Sequence, residues 1–247
     1  MGNKIRLHII ASLVLLASCQ GDELNLPTGK GMLQLQELKV VDATQNTLRT
    51  RAVDSDLSLI LTGPESRQYA AGEEVPEKWP LAVGHYTLQA FTPNQTGWKT
   101  DNEGRGSACH IGSTEFDIQE DWVTYVNYQV PMTNYGVQLV LPDEFKKYFS
   151  NNRFVVTSAG RSPIVAENQT AYFDPAEGGF SFVLTVTNVD GETFTTKTQQ
   201  FSNVAAGKVY KVCYSYSDDP GDASLTVTIT YDDQMETVNE DLMIEFE

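Results

Sequence analysis

From residue 33 onward the chain alternates apolar and polar residues, again and again, in short runs broken by turn residues. In "LQLQ" Leu33 and Leu35 point one way, Gln34 and Gln36 the other. Leu57, Leu59 and Leu61 share a face in "DLSLILT", and Tyr86, Leu88 and Ala90 share one in "GHYTLQAF". "WVTYVNYQV", from Trp122 to Val130, is a long strand with both faces partly apolar. "GVQLVLP" groups Val137, Leu139 and Leu141. A side-chain period of two fits a half-buried strand and no helix. The sole helical signal is "PDEFKKYFS", Pro142 to Ser150, a turn or two opened by proline.

The later chain keeps the style. "RFVVTS" reads as a strand. "GFSFVLTVTNVDGETF" reads as a hairpin, with Asp190-Gly191 expected to form a two-residue type I′ turn. "KVYKVCYSYS" lines up Tyr210, Val212, Tyr214 and Tyr216, and "SLTVTITYDD" lines up Leu225, Val227, Ile229 and Tyr231. Many short strands with Gly, Pro and Asp turns imply an all-β fold of sandwich or barrel type. The length suits two units, with "PMTNYG" (Pro131 to Gly136) as the boundary. The expected organisation is a signal peptide over 1–18, a tether over 19–31, and β-sandwiches over 32–133 and 134–247.

The N-terminus predicts an address. Lys4 and Arg6 form a basic n-region, and Ile9 to Leu16 is an apolar stretch too short to span a bilayer. The following Leu16-Ala17-Ser18-Cys19 resembles a bacterial lipobox. That resemblance implies cleavage before Cys19 and acylation of its sulfur and amine. The other reading is an ordinary signal peptide with a chance cysteine. Two acyl chains hold stably where one does not. Asp22 and Glu23, close behind Cys19, resemble the surface-export signal of lipoproteins in Gram-negative anaerobes. The expected location is therefore the outer membrane, with the chain displayed at the cell surface; a periplasm-facing lipoprotein is the alternative. Cleavage before Cys19 removes Lys4 and Arg6 and no acid, taking the formal charge from −16 to −18. Such a chain is repelled by nucleic acid and by anionic lipid, so its anchor has to be acyl chains and not a basic patch.

Further residues carry a family likeness. Thr50-Arg51-Ala52 follows the first strand. "PLAVGHYTLQAF", Pro80 to Phe91, and "VAAGKVYKVCYSYSDDPGDASLTVTITYDD", Val204 to Asp233, have the strand entries and acidic loop of fimbrillin-like lipoproteins. The sequence resembles an uncharacterised, domain-of-unknown-function branch of that group. It departs from the pattern at Cys109-His110, where an aromatic is expected before Gly112. The resemblance implies two transthyretin-like (Ig-like) β-sandwiches in tandem and a non-catalytic role: pilus subunit, anchor, tip or surface adhesin, with pilus subunits or host ligands as partners. It also implies a protease site after Arg49 or Arg51, in the polar stretch Asp42 to Asp56. A replacement strand would then fill the vacated groove. Leu242, Ile244 and Phe246 share one face of "DLMIEFE" and suit a donor strand; the favoured reading keeps the Asp42 to Asp56 stretch uncut and pairs the last strand within its own domain, as in an anchor or monomeric adhesin.

Chemistry is sparse. The sequence contains no HExxH, no CxxC pair and no Gly-x-Ser-x-Gly elbow. Gly29-Lys30-Gly31 lacks the spacing of a phosphate loop. Cys109 and His110 are neighbours on a strand or loop and point apart, so they form no nucleophile pair; His110 is expected to be a half-exposed residue. Cys109 and Cys213 are expected to be two free thiols, with a disulfide as the other reading. Asp218, Asp219, Asp222, Asp232 and Asp233 cluster in loops, without EF-hand spacing, and read as solvated turns in preference to a Ca²⁺ site. No cofactor or metal is expected, and no enzyme activity. A second function class remains: a glycan-binding lipoprotein of a nutrient-uptake system, stacking sugar on Trp79 and Trp98, with Tyr69, Asn94, Gln95 and Asn102 nearby; the plainer reading is that Trp79 and Trp98 cap the sandwich edges.

Overall fold

A computed structural model of the chain describes residues 26–40, 56–217, 224–231 and 234–242. Four sheets enclose two separate hydrophobic cores, and no barrel closes among the described residues. The fold is all-β, as the alternation requires.

In the first half, β1 (Lys30–Val40) lies between β4 (Lys78–Ala82) and β7 (Val123–Val130). It pairs antiparallel with β4 and parallel with β7. The facing sheet has β3 (Arg67–Tyr69), β2 (Ser58–Thr62), β5 (Gly84–Phe91) and β6 (Ile111–Ile118), in that spatial order. Leu33, Leu35 and Leu38 of β1 are all buried. Strict alternation would turn Leu38 to solvent, since it stands three residues after Leu35. A register shift between Leu35 and Glu37 places one extra residue in β1 and swings Leu38 back inward. Burying these three leucines contributes roughly 5–9 kcal/mol before ordering costs.

The second half repeats the plan. β8 (Tyr135–Val140) lies between β10 (Thr170–Phe173), antiparallel, and β14 (Val209–Ser217), parallel. Here the sheet continues through β15 (Ser224–Tyr231) to β16 (Gln234–Leu242). The facing sheet centres on β11 (Phe180–Asn188). It is flanked by β9 (Phe149–Thr157) on one edge and by β12 (Thr193–Thr195) and β13 (Gln199–Phe201) on the other.

The helix at Pro142 is a single turn, α1 (Asp143–Lys146), which buries Phe145. The hairpin from β11 to β12 forms, but its turn differs from the expected type I′. Asn188 and Glu192 close a three-residue loop through Asn188 N to Glu192 O, at 2.8 Å, and only Gly191 is left-handed, at φ 87°. Asn188 Oδ1 accepts from the amides of Asp190 and Glu192, which favours the longer loop.

Candidate functional site

Two structural features stand out: the first strand and the joint between the cores. Entry to β1 is fixed by a charged cluster. Lys30 Nζ lies 2.5 Å from Glu65, which also accepts from the Ala82 amide at 3.0 Å and from Arg67 at 3.4 Å. Hydrogen bonding from Lys30, above all, lowers the Glu65 pKa. The turn from β6 to β7 closes over the same end: Asp121 N donates to Lys30 O at 3.1 Å and Met32 N to Trp122 O at 2.8 Å.

The joint is built by the long connection between β5 and β6. Asn94 and Ser107 both donate to Asp101, at 2.6 and 2.8 Å, and Asn102 donates to Gly106 O at 2.8 Å, so the loop is internally braced. Its Gly104–Arg105 backbone then meets the second half. Tyr172 N donates to Arg105 O at 2.7 Å. Arg161 donates to Tyr172 O at 2.8 Å and to Gly104 O at 2.7 Å, tying both sides with one guanidinium. That guanidinium also lies 5.1 Å from the Phe173 ring centre and 5.8 Å from that of Trp98. Burial lowers its pKa, although a guanidinium stays charged at any working pH. Lys99 reaches across to Glu177 at 2.5 Å.

The passage from β7 to β8 is equally tied down. Asn134 is only 2% exposed; it accepts from Cys109 N at 3.1 Å and donates to Ser107 O at 2.8 Å, while its carbonyl accepts from Gly207 N at 2.9 Å. Thr133 N donates to Cys109 O at 2.7 Å. The stretch read from sequence as a boundary is thus a stitched connection, because its polar groups are spent on both halves.

The alternative of a stacking platform on Trp79 and Trp98 does not form. Trp79 is wholly buried, packs on Tyr69 and donates its indole N–H to Pro76 O; Trp98 is 7% exposed and lies between Lys99 and Arg161. Neither presents a ring face to a ligand. Asn94, Gln95 and Asn102 are engaged within the loop. An open cavity of about 450 Å³ beside it includes Thr92, Asn94 and Ser107 in its wall; Asp101 already takes Asn94 and Ser107. Among the described residues the exposed aromatics are Trp122, at 67%, and Tyr125, at 56%. For Tyr125 the signal is the two-sided apolar character of "WVTYVNYQV": Val126 and Val130 face the core, leaving Tyr125 on the outer side; Trp122 shares their parity and is exposed because it precedes β7, in the turn from β6.

His110 is buried at 3%, correcting the expected half-exposed position, because the bridge to Met132 draws it under the joint. His85 is exposed and pairs with Asp117 at 2.9 Å and Glu115 at 3.7 Å, and its hydrogen bond to the Asp117 carboxylate raises its pKa. Cys109 and Cys213 are free thiols, one in each half. Among the described residues no group of His, Cys, Asp and Glu could hold a metal ion, and no helix is long and apolar enough to cross a membrane. Leu242 ends β16 opposite Leu225, so the last strand is paired in its own sheet. Cys19, Asp22, Glu23, Arg49, Arg51, Ile244 and Phe246 lie outside the described residues, as do Asp218, Asp219, Asp222, Asp232 and Asp233.

Residues 29–245 match the model of a domain of unknown function, DUF4493. The chain belongs to the DUF4493 family. This DUF4493 chain is also similar to solved structures at low identity. A fimbrial assembly protein from Parabacteroides distasonis aligns at 10% identity and TM-score 0.48, over 84% of this chain and 98% of that one. A chain from Bacteroides eggerthii named as a candidate cell adhesion protein aligns at 10% and 0.44, over 88% and 99%. A fimbrilin from Porphyromonas gingivalis aligns at 10% and 0.37, over 82% and 96%. No curated protein sequence matches the chain.

Proposed function

We propose that this DUF4493 chain is a non-catalytic structural or adhesive subunit of the cell surface, held to the outer membrane by acylated Cys19. Its division into two domains falls at residues 133 and 134. The observation that supports the reading is the placement of β1. The tether leads into the middle strand of a sheet, between β4 and β7, so an anchor on Cys19 would pull on the core itself. Asp22 and Glu23 carry the export signal in this reading. The anchored form keeps β1; cleavage after Arg49 or Arg51 is the alternative fate, in which β1 leaves and a strand such as Leu242 to Phe246 of another copy takes its place between β4 and β7. Fatty-acid labelling of wild type and Cys19→Ala decides the anchor: equal label on both overturns it. N-terminal sequencing of the surface form separates the two fates, since Thr50 or Ala52 as first residue means a polymerising subunit.

The exposure of Trp122 and Tyr125 supports a second reading, in which the first half binds a glycan by stacking. Loss of glycan-array signal in Trp122→Ala would favour it.

A further inference from the structure

The two ends of the first half are directly hydrogen-bonded to each other, and in parallel. β1 is its first strand and β7 its last, and the ladder runs through eight register pairs, from Met32 opposite Val123 to Val40 opposite Val130. The direction of the ladder decides how it meets a force. The tether enters β1 at Lys30, at one end of the ladder. The chain leaves β7 at Val130, at the other end, toward the second half. A pull between the tether and the second half therefore slides the two strands past each other along their axes. All the ladder bonds are strained together, and none can open before the rest. Had β7 run antiparallel to β1, the same pull would act at one end and open the bonds one at a time. The residues between the two strands, including β2 to β6, lie inside the loop that this ladder closes, so their backbone is not stretched end to end until it breaks. β8 and β14 repeat the geometry over five register pairs, for any load that leaves the chain beyond β14.

We propose that the β1–β7 ladder is a mechanical clamp, which lets the anchored chain hold tension between the membrane and whatever the second half engages. The inference deepens the surface-anchored reading and rests on it for the source of the load. Two details fit. The cluster of Glu65 with Lys30 and Arg67 holds the point where the load enters β1. Where the load leaves β7, Asn134 ties the passage to Cys109 and Ser107 of the first half and to Gly207 of the second, so tension is passed on without an unfolding linker.

Single-molecule force spectroscopy on the full chain tests the clamp with the same two strands pulled in two ways. Cys19→Ser and Cys213→Ser remove the reactive thiols, and Cys109 is buried. Handles at Thr28→Cys and Gln129→Cys load the ladder from opposite ends. Handles at Thr28→Cys and Trp122→Cys load it from one end and peel it. All three handle positions are exposed, and circular dichroism confirms folding before pulling. At equal loading rate the first pair is expected to rupture at a several-fold higher force, because forced opening is governed by the barrier along the pulled direction. Equal forces, or a higher force when peeling, overturn the clamp. The Cys19 labelling test reads the anchor and is independent of both pulls.

Discussion

The two halves share a plan and differ in filling. In each, the first strand sits between an antiparallel and a parallel neighbour: β1 between β4 and β7, β8 between β10 and β14. The first core is mostly leucine, from Leu33 through Leu61 to Leu88, with Trp79 and Tyr86. The second is aromatic, with Phe145, Phe154, Phe173, Phe180, Phe182 and Phe201 around Tyr135, Tyr210 and Tyr214. Rings there meet mostly tilted or edge-on, as Tyr135 does on Tyr210 with centroids 5.9 Å apart. The first half ends its sheet at β7, while the second adds β15 and β16 beyond the corresponding strand β14. Topology is therefore set by which positions are apolar, and the identity of the apolar residue sets only how the space is filled.

The sharpest way to break that comparison is one large truncation in each core. Leu35→Ala should cost about 2–5 kcal/mol and Phe182→Ala about 3–5 kcal/mol. Hydrogen exchange read by region should show lost protection in the half that carries the change. Equal loss in both halves would mean one cooperative unit and would end the description as two cores.

A pair of glycines in the first strands gives a smaller contrast. A methyl at Gly31 would run into the Gln119 carbonyl, part of the turn that closes over β1. A methyl at Gly136 would meet side-chain methyls and not backbone, Thr170 Cγ2 at 2.7 Å and Val209 Cγ2 at 3.2 Å. Gly31→Ala is expected to cost about 1–3 kcal/mol and Gly136→Ala less. Urea denaturation of the two variants checks the order; the reverse order would show that the β1 entry is softer than its packing suggests.

Much of this plan was legible in the sequence, and particular residues show where legibility stopped. Leu57, Leu59 and Leu61 alternate and are all buried, since period two needs no information beyond the strand itself. Leu38 has the wrong parity, and only the bulge opposite β7 brings it inward. The sequence locates the Gly191 turn but not its third residue, because the Asn188 side chain selects the loop length. The sequence leaves Trp98 open between capping a sandwich edge and stacking on sugar. Its burial depends on Arg161, which comes from the other half and leaves no local trace. The lipobox at Cys19 and the expected protease site at Arg49 or Arg51 are linear motifs and lie outside the described residues.

Arg161→Ala tests whether the halves are joined or merely adjacent. It frees the Gly104 and Tyr172 carbonyls and uncovers Trp98. The cost should be about 1–3 kcal/mol, in the range for hydrogen bonds from a charged donor. Arg161→Lys should restore little of it, because one ammonium lacks the planar fork that reaches both carbonyls. The signature is increased exchange at Arg105 and Tyr172 with both cores still protected. Unchanged exchange there would make the joint a passive contact.

The smallest expected effect concerns acid, and it falls on the first half alone. Glu65 is held by Lys30, Arg67 and the Ala82 amide, and its pKa in the folded chain is lowered. A carboxylate with a lowered folded pKa stabilises the fold fully above its unfolded pKa, about 4.3 for glutamate. That contribution fades as pH falls through the folded value. The partners are partly exposed, with side-chain exposures of 29–31%, so solvent screening limits the gain to at most ~1 kcal/mol. Lowering the pH from 6 toward 3 should therefore loosen the β1 entry before the second half responds. Glu65→Gln should remove this early step, since the amide cannot titrate. The readout is exchange at Met32 and Ala82 against Val212, followed from about pH 6 down to about pH 3 across the glutamate titration. If the wild type and Glu65→Gln lose protection at Met32 and Ala82 at the same pH, the cluster does not hold the strand, and the two halves differ in filling but not in how they are fastened.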